Sequence, residues 1–174
     1  TPFHIAVESH NMDLLQKLLN VTSTNDVVRI LEQRDISNKT ALDLAASAKS
    51  RMSSEIIKII VTTLGHKKAL NLLKSKDQHG DTFIHHLLMW ECDLNSLENA
   101  LLRLKIDQQL ELFNQTNKQG VSSLDNAQTI IRDRECNTAK WLLMRNSRLH
   151  TELILQKDDI KGRPNNKNHI KKQA

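Results

Sequence analysis

The sequence is poor in the residues from which β-sheets and tight turns are built. Of its 174 residues only 3% are aromatic, none is tyrosine, and the whole chain holds 4 glycines and 2 prolines. Strands favour aromatic and β-branched residues, and sandwiches and barrels need turn residues between many short strands. These shortages exclude most all-β architectures and favour helices packed through leucine, isoleucine and alanine.

Long apolar runs and cysteine frameworks are also missing. The richest apolar stretch, residues 56–64, is interrupted by Lys58 and falls short of the run of about 18 residues that a transmembrane helix needs. No signal-peptide pattern opens the chain, and the missing first methionine suggests a fragment or a processed product. Cys92 and Cys136 lack metal-site or disulfide spacing, and free thiols fit a reducing compartment, so we expect a cytoplasmic protein.

Positive charge is concentrated at the C-terminus. Residues 157–174 carry six Lys or Arg and two Asp, whereas residues 1–156 carry 19 basic and 18 acidic side chains. The terminal segment has almost no apolar residues, which predicts a disordered basic tail after a folded domain over 1–156. The tail is an alternative binding site for nucleic acid or an acidic membrane, although a solvated chain end is the simpler interpretation. The body shows no basic stripe with interleaved aromatics.

A pattern of about forty residues occurs four times, starting near residues 1, 35, 77 and 117. Each full copy reads Asp or Asn, two variable residues, Gly or Asn, one variable residue, then Thr or Ser, followed by a short apolar stretch. The hydroxyl residues are Thr1, Thr40, Thr82 and Ser122, at intervals of 39, 42 and 40 residues. The regular spacing predicts a repeat array.

The chemistry of each copy predicts a tight turn that leads into a capped helix. The opening Asp or Asn favours a turn through its own side-chain hydrogen bonds. Asn38, Gly80 and Gly120 stand where such a turn needs a positive φ angle. The hydroxyl that follows is a good N-cap, and Pro2 fits the first helical position.

Each copy continues with further helical segments. In the first, Leu14, Leu15, Leu18 and Leu19 form one apolar helical face, and its counterparts are residues 55–64, 97–104 and 137–144. Amphipathic stretches then predict an extra short helix before each of the next three turns. These stretches cover residues 25–33, 66–75 and 106–115.

Residues 1–6 (TPFHIA) closely resemble the ankyrin-repeat signature T-P-L-H-x-A. The match continues through Val7, His10-Asn11 and the leucine face, and the Asp-x-x-Gly-x-Thr turns resemble the ankyrin β-hairpin. The resemblance covers about residues 1–146 and implies an all-α solenoid of stacked helix hairpins, here with inserted short helices.

The repeats depart from the ankyrin pattern in three ways. Their period is 39–42 residues instead of about 33. The signature histidine is replaced by Asp43 and Asp125, which can still accept a hydrogen bond from the neighbouring hydroxyl or backbone N–H. The fourth copy has Asn126 and Gln128 at inner-helix positions and resembles an end-capping repeat.

The resemblance further implies a non-catalytic module that binds a partner protein through a concave face of inner helices and hairpin tips. Met89 and Trp90 have the chemistry of a binding hot spot, although packing of Trp90 under the loop at 91–96 is the alternative. The expected partner-binding residues are Glu8, Ser9, Ser47, Lys39, His79, Asp81, Met89 and Trp90. The same inner-helix positions include Ala48, Thr129 and Ile130.

No catalytic, cofactor or metal constellation emerges from the sequence. His85 and His86 are adjacent, so on a helix they point about 100° apart and cannot readily share a metal, and the isolated glycines form no phosphate loop. We therefore expect neither an enzyme nor a bound cofactor, and no small-molecule substrate. The alternative is a targeting part of a larger enzyme. The stretched repeats and the Asn-, Lys- and Ile-rich composition also resemble ankyrin effectors that intracellular bacteria deliver into the host cytoplasm.

Overall fold

The computed structural model describes residues 1–47, 52–64, 66–90, 94–101 and 104–162. Ala48, Cys92 and residues 163–174 of the predicted tail lie outside the described residues. Within the described ranges the chain forms eleven helices and no strand. The helices are α1 Pro2–Glu8, α2 Met12–Val21, α3 Thr24–Leu31, α4 Ala41–Ser47, α5 Met52–Thr63, α6 His66–Leu73, α7 Phe83–Met89, α8 Leu94–Leu101, α9 Ile106–Phe113, α10 Ser123–Asp133 and α11 Asn137–Gly162.

The inner helices α1, α4, α7 and α10 begin directly after the predicted capping residues. The Thr40 hydroxyl accepts a hydrogen bond from the Asp43 N–H at 3.2 Å, and the Ser122 hydroxyl accepts one from the Asp125 N–H at 3.1 Å. Thr1 accepts from the His4 N–H at 3.3 Å. These bonds satisfy N–H groups that the first helical turn leaves without a partner, so the predicted helix starts are confirmed.

The three turns between repeats share one hydrogen-bond pattern. In each, the side-chain oxygen of the first residue accepts from the backbone N–H groups two and four positions later. The two distances are 2.8 and 2.8 Å at Asp35, 2.8 and 3.0 Å at Asp77, and 3.0 and 3.1 Å at Asn117. The positive φ predicted for the fourth residue is also confirmed, at 60° for Asn38, 80° for Gly80 and 76° for Gly120.

Neighbouring turns are tied to one another along one edge of the array. Arg34 Nη1 donates at 2.7 Å both to its own hairpin, at the Asn38 carbonyl, and to the next, at the Lys76 carbonyl. The Lys118 N–H donates to the His79 carbonyl at 3.1 Å. The hairpin tips therefore form a continuous, hydrogen-bonded edge.

Stacking of repeats builds the core. The inner helix α4 packs between α1 and α7, α7 packs against α10, and the outer helices α5 and α8 pack together. The three phenylalanines Phe3, Phe83 and Phe113 are completely buried among leucine, isoleucine and alanine side chains. Burial of this kind is worth about 25 cal/mol per Å² of apolar surface, and no single repeat achieves it alone.

The inserted helices are confirmed as α3, α6 and α9, each eight residues long. The fourth repeat differs because its outer helix does not stop near residue 144. Instead α11 runs to Gly162, six residues beyond the predicted end of the folded domain at 156. It packs against α8, α9 and α10 and so covers the last repeat.

Candidate partner-binding face

Equivalent positions at the ends of the inner helices form one row across the array. Glu8, Ser47 and Met89 are each the last residue of their helix, and Ser9 and Trp90 are the capping residues that follow. Because α1, α4, α7 and α10 pack side by side in that order, these helix ends follow one another from repeat to repeat.

The first half of this row is small and polar. Glu8 and Ser9 are exposed and Ser47 is half-buried. Both serine hydroxyls donate to carbonyls of their own helix, Ser9 to Ile5 at 2.7 Å and Ser47 to Asp43 at 2.8 Å. Both hydroxyl protons are therefore engaged within their own helices, and the Glu8 carboxylate supplies the charge in this half of the row.

The second half of the row is apolar. Met89 is 51% exposed and Trp90 is 39% exposed, so the indole is partly covered and partly free. At the C-terminal end of α7 the backbone N–H of Trp90 donates to the His86 carbonyl at 3.2 Å. This bond fixes the backbone from which the indole ring projects. An ordered backbone with exposed Trp and Met side chains suits an anchor for a partner.

The fourth inner helix adds apolar surface that sequence reasoning missed. Helix α10 has 11 residues where α1, α4 and α7 have seven, and Ile131 is exposed near its end. In the first repeat the equivalent residue, His10, leaves the helix with a φ of 53°. A β-branched isoleucine strongly disfavours positive φ, so α10 continues through Ile131 instead of ending as α1 does. The isoleucine at this position is the sequence feature from which the longer helix could have been predicted.

The predicted hairpin-tip residues divide into two kinds. His79 is exposed and Lys39 is half-buried, so both present polar atoms at the edge. Asp81 does not project into solvent as expected. It is buried, and its Oδ1 accepts a hydrogen bond from Asn117 Nδ2 at 2.9 Å, which joins the hairpin that starts at Asp77 to the hairpin that starts at Asn117.

Ile36, which sequence reasoning did not select, is a fully exposed apolar side chain at the second tip, at 103% of its reference area. An isolated exposed apolar residue needs no functional explanation. The sequence feature that could have identified Ile36 as exposed is its position among the variable residues of the turn.

The signature histidines serve the fold. His85 Nδ1 accepts from the Thr82 N–H at 3.2 Å, and Nε2 lies 3.1 Å from the Val121 carbonyl of the next hairpin. His4 makes the same bridge, with Nε2 3.1 Å from the Lys39 carbonyl. Since Nδ1 of His85 accepts, Nε2 carries the proton and donates, so each ring links its helix start to the neighbouring repeat.

Asp43 and Asp125 occupy the same motif position in different environments. Each carboxylate accepts from the hydroxyl of its capping residue, at 2.8 Å from Thr40 and 2.6 Å from Ser122. Burial raises the pKa of Asp43 to about 6, although the Thr40 hydrogen bonds and Arg34 oppose that rise. In the exposed Asp125 the Ser122 hydrogen bonds lower the pKa.

The described part of the chain contains no group of three or more His, Cys, Asp or Glu arranged to hold a metal ion. Among the helices described, none combines the length and apolarity that crossing a membrane demands. Cys136 is buried with a free thiol.

Comparison with known proteins identifies the fold. No protein-family model matches the chain, and no curated protein matches its sequence. Among solved structures, the chain is similar to the ankyrin repeat domain of Bcl-3, described as a unique member of the IkappaB protein family. The TM-score is 0.58 at 22% identity, over 82% of this chain and 55% of that one. Together with the helix hairpins, capped starts and tight turns, this likeness shows that the chain has the ankyrin-repeat fold.

Proposed function

We propose that this chain is a protein-recognition module that binds its partner through the row of inner-helix ends. The observation that carries the proposal is the exposure of Met89 and Trp90 at the C-terminal end of α7. Exposed tryptophan and methionine are costly to leave in water, and both are typical anchors of protein interfaces. The ankyrin-repeat fold supports the proposal, because such folds generally serve protein–protein interaction.

The chemistry along the row supports a partner with an apolar anchor over the third and fourth repeats. Helix α7, which ends at Met89 and is capped by Trp90, packs against α10, on which Ile130 is half-buried and Ile131 exposed. Glu8 and Ser9 on the first repeat add a polar end. Lys39 and His79 supply polar contacts at the hairpin edge, and Asp81 supports that edge by its bond to Asn117. The free thiol of Cys136 suits a reducing compartment such as the cytoplasm.

Trp90→Ala is expected to weaken capture of the partner by roughly thirtyfold, since loss of a tryptophan hot spot costs about 2 kcal/mol or more. A pull-down from lysate identifies the captured protein, and titration calorimetry with that purified protein then gives the affinity for both forms of the chain. Circular dichroism of the variant separates lost binding from lost folding.

Met144→Ala is the control, because Met144 is an exposed apolar side chain, at 74%, on the outer helix α11 and is not among the predicted binding residues. We expect it to leave the affinity unchanged. The proposal fails if the folded Trp90→Ala protein binds as tightly as the wild type, or if the two substitutions weaken binding equally.

A further inference from the structure

The hairpin turns bury most of their carboxylates and expose most of their cations. The turn segments are 34–39, 76–81 and 116–121, and their acidic residues are Asp35, Asp77 and Asp81. Asp77 and Asp81 are buried, and Asp35 is half-buried with Oδ1 accepting two backbone N–H groups at 2.8 Å. The basic residues of the same segments, here called the basic edge, are Arg34, Lys39, Lys76 and Lys118. All of them except the half-buried Lys39 are exposed, so a molecule that approaches the turns meets positive charge first.

Arg34 is held in place and keeps part of its donor capacity. Its Nη1 donates at 2.7 Å to the Asn38 carbonyl and at 2.7 Å to the Lys76 carbonyl. A guanidinium group has five N–H donors, and no acceptor among the described residues takes a hydrogen bond from Nε or Nη2 of Arg34. These two nitrogens form a planar fork that fits the two oxygens of a carboxylate. The exposed side of this fixed guanidinium is therefore suited to bind a carboxylate.

Lys76 continues the arrangement along the edge. Arg34, Lys76 and Thr116 each precede the first residue of a turn. Lys76 Nζ donates to the Thr116 carbonyl at 2.5 Å, just as Arg34 donates to the Lys76 carbonyl. The two cationic groups therefore occupy equivalent places, one repeat apart.

The spacing of the repeats matches that of an extended peptide. The turns are in direct contact, since the Lys118 N–H donates to the His79 carbonyl at 3.1 Å. The inner helices that follow them also pack together, and packed helices lie about 8–10 Å apart. A polyproline II chain returns to the same face every third residue, an advance of about 9 Å. An extended segment with an acidic residue at every third position therefore presents one carboxylate to each repeat.

We propose that the basic edge binds an extended acidic segment of the partner protein, and that Arg34 holds one of its carboxylates through Nε and Nη2. This rests on the proposed function, because it names the chemistry of a second contact in addition to the apolar anchor of Met89 and Trp90. Lys76 and Lys118 attract the neighbouring carboxylates. Because these cations are exposed, the attraction weakens as the salt concentration rises.

Nucleic acid matches the basic edge less well than an acidic protein segment does. Duplex DNA carries one negative charge per about 1.7 Å of its axis, whereas the edge offers four cations across three turns. Proteins that bind single strands add aromatic side chains on which the bases stack, and the turn segments contain no Phe, Trp or Tyr. The wider spacing of charge on an acidic peptide fits the observed cations better.

Fluorescence anisotropy of the full chain at low ionic strength tests the proposal with a labelled peptide of four Glu-Pro-Gln triplets. We expect this peptide to bind and the same peptide with glutamine in place of glutamate not to bind. Arg34→Lys keeps the charge and should keep the fold, because Lys76 makes the equivalent link between turns. It removes the fork, so we expect the acidic peptide to bind about fivefold more weakly. Circular dichroism checks the fold, and unchanged affinity in the folded variant would overturn the role of Arg34.

Two charge reversals separate the basic edge from the net charge. Lys118→Glu should weaken binding of the acidic peptide by about fivefold. Lys58→Glu, on the exposed face of α5, changes the net charge equally and should leave binding unaltered. Equal weakening by both would place the peptide elsewhere, for instance on the basic residues of 157–174, and would overturn the proposal. If Lys118→Glu does not fold, Lys118→Gln replaces it, with an expected loss of about twofold.

A single-stranded DNA oligonucleotide with the same number of charges is the nucleic-acid arm of the test. Tighter binding of the DNA than of the acidic peptide, lost in Arg34→Lys, would overturn the choice of a protein segment. The peptide has no aromatic or large aliphatic side chain, so its binding does not depend on the anchor at Met89 and Trp90. Failure of the Trp90→Ala prediction and failure of the basic edge are therefore separate results.

Discussion

Replacing Gly80 by alanine is expected to cost about 3 kcal/mol of stability, against about 1 kcal/mol for the same change at Gly120. Both glycines have positive φ, 80° and 76°, so alanine is strained at either position by about 1 kcal/mol. The expected losses of stability differ because the two positions differ in the room available for a Cβ atom. A Cβ on Gly80 would lie 2.7 Å from the Lys118 backbone nitrogen, whereas one on Gly120 would meet nothing within 4 Å.

The contact at Gly80 cannot be relieved by rotating a side chain, because its nearest atom is the backbone nitrogen of the next hairpin. That nitrogen donates to the His79 carbonyl at 3.1 Å, so moving it also lengthens a bond between hairpins. Chemical denaturation with circular dichroism measures both variants. Equal losses of stability for the two variants would contradict the close approach of the hairpins that start at Asp77 and Asn117.

Asp43→His is expected to stabilise the protein at pH 7.5 by roughly 2–3 kcal/mol. The pKa of Asp43 is raised from 3.8 to about 6, and each pKa unit corresponds to 1.36 kcal/mol. The folded state holds the extra proton between those values, so stability is highest below 3.8 and falls as the pH rises through 6. At pH 7.5 the full cost of the buried carboxylate is present, and the substitution removes it.

Histidine also supplies a contact that aspartate is too short to make. His4 and His85, at the same motif position, each lie 3.1 Å from a carbonyl of the next hairpin, and such a bond contributes about 1 kcal/mol. Thermal and urea unfolding at pH 7.5 and pH 5 measure the gain, which should shrink at the lower pH.

Asp125→His is the matched control for that gain. Asp125 is exposed, so its replacement relieves no burial of a charge, although histidine can still accept a hydrogen bond from the capping residue as His85 does from Thr82. A gain at Asp125 as large as that at Asp43, or no gain at Asp43 at either pH, would contradict the proposed cost of the buried charge.

The parts of this fold that follow from short-range chemistry could be predicted from the sequence. An Asp or Asn that folds back on its own backbone, a Gly or Asn at positive φ, and a capping Thr or Ser act within five residues of one another. The hairpin turns at 35, 77 and 117, the starts of α4, α7 and α10, and the inserted helices were therefore predictable. The equivalence of Glu8, Ser47 and Met89 at the ends of their helices was predictable from the same alignment of the repeats.

The tertiary structure decided what depends on contacts between repeats. Asp81 lies in a hairpin turn and Asp43 in the first turn of α4, and nothing in their local sequence predicts that either is buried. Stacking of the repeats buries both. The same stacking brings His86 beside Asp77 and fixes how much of Trp90 remains in water. Local sequence determines the conformation of each repeat because its hydrogen bonds close within a few residues. Exposure and charge state are set by neighbours about forty positions away, through packing that only the assembled array provides.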